Sequence, residues 1–174
     1  LVLAVPNPGG PGVLDMAMSQ FSIGRMEGAQ RAGHPLPLPG GYDAQGALTH
    51  DPGSILASNR VLPAGFWKGS GLAILLDLVA VLLSGGLATY QIGQQVTEYG
   101  VSQVFMAFAV THVGGADLIQ QAVAGVIADL HTTIPASEGG EVLYPGERAL
   151  RTRLDNLQNG IPVEPTIWER VLAM

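Results

Sequence analysis

Leu1-Val2-Leu3-Ala4-Val5 is an unbroken apolar run, the pattern of a short strand covered on both faces. The Pro- and Gly-rich residues 6–12 then predict a turn or loop. Residues 13–19 alternate: Leu14, Met16 and Met18 fall on one side of a strand, and Asp15, Ala17 and Ser19 on the other. The first set belongs in a core. The second presents a single carboxylate among small residues. Residues 21–32 predict a helix closed by Gly33. Residues 33–66 carry little periodicity and much Gly and Pro, so they are expected to be a long loop that covers something, with a turn at Asp43-Ala44-Gln45-Gly46.

Residues 69–83 are the most apolar segment, broken only by Asp77. Their uninterrupted stretch is shorter than the roughly 18–20 residues that span a bilayer, so the reading is a helix buried nearly all round and ended by Ser84-Gly85-Gly86. Residues 101–110 read as a second apolar strand. Residues 116–130 form an amphipathic helix whose stripe is Leu118, Ile119, Ala122, Val123, Val126, Ile127 and Leu130. Two further helices follow at 148–157 and 166–172, the first ending at Asn159-Gly160 and the second starting after Pro165. Strands and helices mix without βαβ alternation, repeats or an interdomain linker, so residues 1–174 are expected to be a single unit of the α+β class.

Composition narrows the function. A hydrophobic fraction of 47% excludes disorder, and 24 Gly with 12 Pro point to long loops. The lack of Cys removes disulfides, thiolate metal sites and thiol nucleophiles. A net charge of −6 argues against a nucleic-acid or anionic-membrane surface. The opening apolar run has no basic flank and is too short for a signal peptide, and the first methionine is Met16. The expectation is a chain entered mid-fold, part of a longer protein.

The phosphate-binding pattern G-x-G-x-x-G is absent, because Ile74 stands where the third Gly of Gly69-Ser70-Gly71 is needed. His34, His50, His112 and His131 sit in unrelated contexts, each read as a loop or element-end residue, and no metal site is expected. Three segments are candidates for chemistry. Lys68, the only lysine, falls just before the apolar helix, where a cation opposes the helix dipole unless an anion lies between. An equally good reading is a solvated Lys68 with Trp67 packed as core. Asp15 lies in an apolar strand and either faces a ligand groove or is a surface carboxylate or Arg partner. Tyr144-Pro145-Gly146-Glu147-Arg148 sets a tight turn before a helix, with an acid and a base in its first turn; alone it reads as a cap with a surface pair. Asp77 is read as a structural hydrogen-bond acceptor.

Together, Leu14-Asp15-Met16-Ala17-Met18-Ser19, Gly40-Gly41-Tyr42-Asp43, Leu62 to Leu72 with Trp67-Lys68-Gly69-Ser70-Gly71, Tyr99 to Phe105, and Pro145-Gly146-Glu147-Arg148 resemble the type-2 malate/L-lactate dehydrogenase family of NAD(P)-dependent oxidoreductases, and within it the 2,3-diketo-L-gulonate reductase branch. The likeness runs through the whole chain in order. It implies a non-Rossmann fold, a mixed and largely antiparallel sheet with flanking helices. It implies NAD or NADP contacts at Leu14, Asp15, Met16 and Ala17, at Trp67 and Lys68, and at Gly146, Glu147 and Arg148.

The family's catalytic histidine, with a neighbouring serine, precedes the position of Leu1, so no catalytic residue is carried over. The 8–12 loop looks slightly longer than in diketogulonate reductases. The expected activity is reduction of a 2-oxo acid to a 2-hydroxy acid, or the reverse, by a cytoplasmic homodimer with no nucleic-acid or membrane partner. The isolated chain is expected to be nearly inactive. Malate, lactate, ureidoglycolate or a cyclic imine are alternative substrates, and a non-catalytic binding or dimerisation module is the alternative class.

Overall fold

The computed structural model describes residues 1–109, 112 and 115–174. Their contacts divide the chain into two compact units, one of Leu1 with residues 16–108, the other of residues 2–15 with 109–174.

The first unit starts with α1 (Ile23–Arg31), where the Ser22 hydroxyl accepts from the Arg25 N–H and caps the first turn. The segment expected to be a covering loop is instead folded. β3 (Gly41–Tyr42) lies between β4 (Leu48–Thr49) and β5 (Arg60–Val61), antiparallel to both, and α2 (Pro52–Ser58) connects β4 to β5. Here β1 and β2 are the hairpin strands of the second unit, Val2–Val5 and Gly12–Asp15. Asp51 caps α2 by accepting from Gly53 and Ser54, which holds its carboxyl below the usual range, the Ser54 hydroxyl being the largest cause. Strands of two residues and a helix of seven are too short to show periodicity. They hold because Met26, Leu36 and Ile55 form a buried cluster under them, with Phe21, Ala29, Leu56 and Val61 against it. The predicted turn at 43–46 is present, with Asp43 Oδ1 accepting from Gln45 and Ala47.

α3 (Trp67–Ser84) contains the expected 69–83, is longer by two residues at its start and one at its end, and closes on Gly85 in the left-handed conformation. Its burial differs from the expectation: Gly69 is its one buried residue among those described, and Leu75, Leu82 and Leu83 are exposed. At 18 residues and mean hydropathy 1.6 it is long and apolar enough, by length and composition alone, to cross a membrane. Apolar sequence states what a helix needs over it and not what supplies it; among the described residues of its own unit nothing covers Leu75, Leu82 and Leu83. Asp77 accepts from the N–H and hydroxyl of Thr89, at 3.0 and 2.7 Å, and so caps the short α4 (Thr89–Ile92), the structural role read for it. The predicted strand at 101–110 is absent over 102–109; Val101 alone makes a bridge, to Leu87, and Val110 lies outside the described residues. A strand exists only where a partner ladder takes its N–H and C=O groups, which composition cannot announce.

In the second unit β1 and β2 pair antiparallel, Val2 opposite Asp15 and Val5 opposite Gly12. The apolar run is a strand, but it is exposed along its length rather than buried on both faces, because among the described residues no layer packs over the two-stranded hairpin. α5 (Ala116–His131) half-buries Ile119, Val123, Ile127 and Leu130, the expected stripe narrowed to one edge, while Leu118 and Val126 are exposed. α6 (Glu147–Asn159) closes on Gly160, and α7 (Pro165–Leu172) has proline at its first turn, as read.

Candidate functional site

The second unit brings its two ends together at β2. The Val13 N–H donates to the Pro145 carbonyl at 2.8 Å, and Gly146 follows at φ 97°, at the N-cap position of α6 with no side-chain cap. A Cβ on Gly146 would stand 2.9 Å from the Val13 nitrogen. Glycine is therefore required twice over, by its backbone angle and by the closeness of the strand. This join sets Asp15, at the exposed end of β2, and Arg148, in the first turn of α6, on one cleft of about 1040 Å³. Gly146 lines it as well.

Residues that the sequence reading did not select complete the cleft. Arg153 and Asn156 add polar groups, and Val13, Leu157 and Ile161 an apolar wall. The signal was present as helical spacing: positions 149, 153 and 157, and 152 and 156, repeat every fourth residue along α6 and share its cleft-facing side. A carboxylate accepts hydroxyl hydrogens, a guanidinium forks onto phosphate or carboxylate, and the apolar wall packs against a flat ring. That set of functions suits a nucleotide.

Glu147 does not line the cleft. It is 8% exposed, the one buried charged residue among those described. Its Oε2 accepts from His131 Nε2 at 2.9 Å and from the Tyr144 N–H at 3.2 Å; its Oε1 meets Arg151 Nη2 at 2.6 Å. Arg151 also reaches Glu141 at 2.8 Å. The hydrogen bond from His131, then those from Arg151 and Tyr144, hold the Glu147 carboxyl below the usual carboxylate range against the opposing effect of burial. His131 thus has a specific partner, which its position at a helix end did not reveal.

The first unit holds the other selected residues. Phe66 caps α3 at φ 56° and ψ −124°, a strained conformation for a side-chain-bearing residue, and no side chain caps the helix. A Cβ on Gly69 would fall 1.8 Å from the Ala64 carbonyl oxygen, so the first turn presses directly on the preceding backbone. Lys68 lies within that turn rather than before it, and is exposed. Trp67 is 78% exposed, so its packing as core is not seen. Regular strand ends at Asp15, yet the alternation persists to Met18: Leu14, Met16 and Met18 are half-buried, Asp15 and Ala17 exposed. Met16 and Leu1 exchange main-chain hydrogen bonds. His50 Nδ1 lies 3.0 Å from the Leu36 carbonyl, and His34 and His112 are exposed. Among the described residues no three His, Asp or Glu side chains are gathered as metal ligands.

A family model described as malate/L-lactate dehydrogenase matches residues 1–172. The chain is 41% identical over 177 aligned positions to 2,3-diketo-L-gulonate reductase of Citrobacter koseri, covering all of this chain and 52% of that protein. The chain spans about half the length of the curated relatives it matches. Among solved structures it resembles the delta1-piperideine-2-carboxylate reductase of Pseudomonas syringae at TM-score 0.72 and 27% identity, over 97% of this chain and 50% of that one. The malate dehydrogenase of Entamoeba histolytica shares the fold at TM-score 0.82 with 16% identity, over 97% and 51%.

Proposed function

The chain belongs to the malate/L-lactate dehydrogenase family, and on that premise we propose that it carries the dinucleotide groove of an NAD(P)H-dependent oxidoreductase that interconverts a 2-oxo acid and a 2-hydroxy acid, with 2,3-diketo-L-gulonate as the type of substrate. The observation that carries this reading is the cleft on which Asp15, Gly146 and Arg148 meet, residues from opposite ends of the chain. Its donor and acceptor set fits a nicotinamide dinucleotide. The Asp15 carboxylate would accept from ribose hydroxyls, Arg148 and Arg153 would engage phosphate, and the wall of Val13, Leu157 and Ile161 would pack against a ring. Leu14 would support that strand from its other face and Met16 and Ala17 extend it. Glu147 would act from behind, fixing the turn that bears Gly146 and Arg148.

Lys68, in the uncapped first turn of α3, and the exposed Trp67 would offer a cation and an aromatic face to a nicotinamide dinucleotide. The fold serving this is non-Rossmann, with small antiparallel sheets between helices. Bound NADH or NADPH supplies the hydride. The proton donor implied by the resemblance corresponds to none of His34, His50, His112 or His131, so turnover is assigned to the whole protein, a cytoplasmic homodimer in this reading. The likeness to a cyclic-imine reductase favours a second reading, in which the acceptor is C=N beside a carboxylate.

Titration of NADH and of NADPH followed by reduced-nicotinamide fluorescence tests the groove. Saturable binding by at least one is expected, together with oxidation of that cofactor by one member of a panel holding 2,3-diketo-L-gulonate, oxaloacetate, pyruvate and delta1-piperideine-2-carboxylate. Absence of saturable binding to both overturns the proposal.

A further inference from the structure

We propose that His131 is a positioning residue, a latch from α5 that fixes the 144–148 turn and so presents Gly146 and Arg148 to the cleft. The inference rests on the cofactor reading above but names a residue that lies outside the groove. The turn is tied to its surroundings by few bonds. Val13 reaches it through the Pro145 carbonyl, and the Tyr144 hydroxyl lies 3.5 Å from the Gly10 carbonyl. Gly146 stands at the N-cap of α6 but has no side chain with which to cap it. That work falls to Glu147, whose Oε2 gathers the Tyr144 N–H at 3.2 Å and His131 Nε2 at 2.9 Å.

The partners of Glu147 are not equivalent. Tyr144 is three residues before it, and Arg151 is one turn along the same helix. Tyr144 belongs to the turn itself, and Arg151 ties α6 only to Glu141 of the preceding loop, so neither joins it to another helix. His131 is at the last turn of α5, so among the described residues its bond is the one that joins the carboxylate to another helix. The charged groups around the pair are Arg151 from α6 and, beyond it, Glu141 from the intervening loop. Arg151 balances the buried carboxylate when His131 is neutral, and the His131 bond needs only an Nε2 hydrogen. The latch is thus a matter of geometry and does not depend on a charged imidazole. Because Gly146 and Arg148 flank Glu147 directly, any freedom in its carboxylate passes to both cleft residues.

The test compares His131→Phe, which keeps a ring and removes the donor, with His131→Gln, whose amide N–H reaches about as far as Nε2. In the full-length protein, His131→Phe is expected to raise the Kd of the preferred reduced cofactor about tenfold while kcat at saturating cofactor stays within about twofold; His131→Gln restores most of the affinity. Amide hydrogen exchange at residues 146–150 is the second readout and needs no cofactor: faster exchange in His131→Phe, returned toward wild type in His131→Gln, is expected. Wild-type affinity with unaltered exchange in His131→Phe overturns the latch, as do equal losses in the two variants. If wild-type protein binds neither cofactor, the cofactor reading fails, and the exchange data still decide whether His131 fixes the turn.

Discussion

The starts of α3 and α6 are both uncapped by their preceding residue, both carry a glycine pressed against neighbouring backbone, and both place a charged side chain in the first turn. They differ in what that charge does. At α6 the acid Glu147 agrees with the helix dipole and is consumed internally by His131, Tyr144 and Arg151, so the turn is complete without a ligand. At α3 the cation Lys68 opposes the dipole, Phe66 is held at positive φ, and the exposed Trp67 gains no packing. The first arrangement is a support for residues that face a cleft. The second makes physical sense when an anion arrives, and each of the following changes separates the two roles.

The largest effect is expected from Lys68→Glu. If the ammonium meets an anionic part of the cofactor, its reversal removes a charge-assisted bond of about 1.5–3 kcal/mol, so affinity for NADH or NADPH falls roughly a hundredfold. The folded chain should at the same time gain about 0.3–1 kcal/mol, because an acid suits the first turn of a helix. Titration and thermal melting of the one variant read both signs. A variant that binds normally, or melts lower, breaks the comparison at its α3 side.

Gly146→Ala should cost stability, about 1–3 kcal/mol, since alanine at φ 97° is strained and its Cβ meets Val13. The melting temperature falls and cofactor affinity falls with it, because β2 and α6 part at the cleft. Unchanged melting would mean that the join of Val13 to Pro145 does not depend on glycine.

These two sites also mark what could be read beforehand. Helix ends were legible where one residue type has one backbone role: Gly33, Gly85 and Gly160 closing helices and Pro165 opening one, whereas the Ser22 cap, one residue inside the helix expected from 21, was not. The 41–61 sheet was not, because two-residue strands leave no period to detect and their cohesion comes from Met26, Leu36 and Ile55, two of which lie in or beside the segment read as loop. The apolar runs at 1–5 and 69–83 gave the correct element and the wrong burial, since hydropathy carries no information about a cover. Of the residues that line the cleft, Asp15, Gly146 and Arg148 were singled out from motif and chemistry, whereas Arg153 and Asn156 depend on how α6 meets the hairpin, and the His131–Glu147 pair on how α5 meets α6.

A smaller effect tests the α6 side by pH. The native state lowers the Glu147 carboxyl below its unfolded range, so the native protein binds that proton less tightly than the unfolded chain. Its contribution is complete above the ordinary carboxylate range and is lost as pH falls through that range toward the lower native value. Chemical denaturation of wild type across this acid window should show the decline, and Glu147→Gln should flatten it while lowering stability at neutral pH. A slope unchanged by the substitution would assign the acid sensitivity to other carboxylates, such as Asp51.

The smallest effect should come from Phe66→Gly, and its sign is the informative part. Phe66 is 62% exposed, so the ring contributes little packing, while its backbone stays at φ 56° and ψ −124°. Glycine adopts that conformation without strain but adds freedom to the unfolded chain, and the two effects oppose each other at about 1 kcal/mol each. If the strained residue serves only the local turn, near-neutral stability and unchanged cofactor affinity follow. If it orients the Trp67-Lys68 pair toward a ligand, stability is again near neutral but affinity drops severalfold, because a freer turn must be ordered on binding. The contrast with α6 predicts the second result: at α3 the ligand supplies order that the 144–148 turn already draws from Glu147. Equal affinity of wild type and Phe66→Gly would make both helix starts preformed and remove the distinction between them.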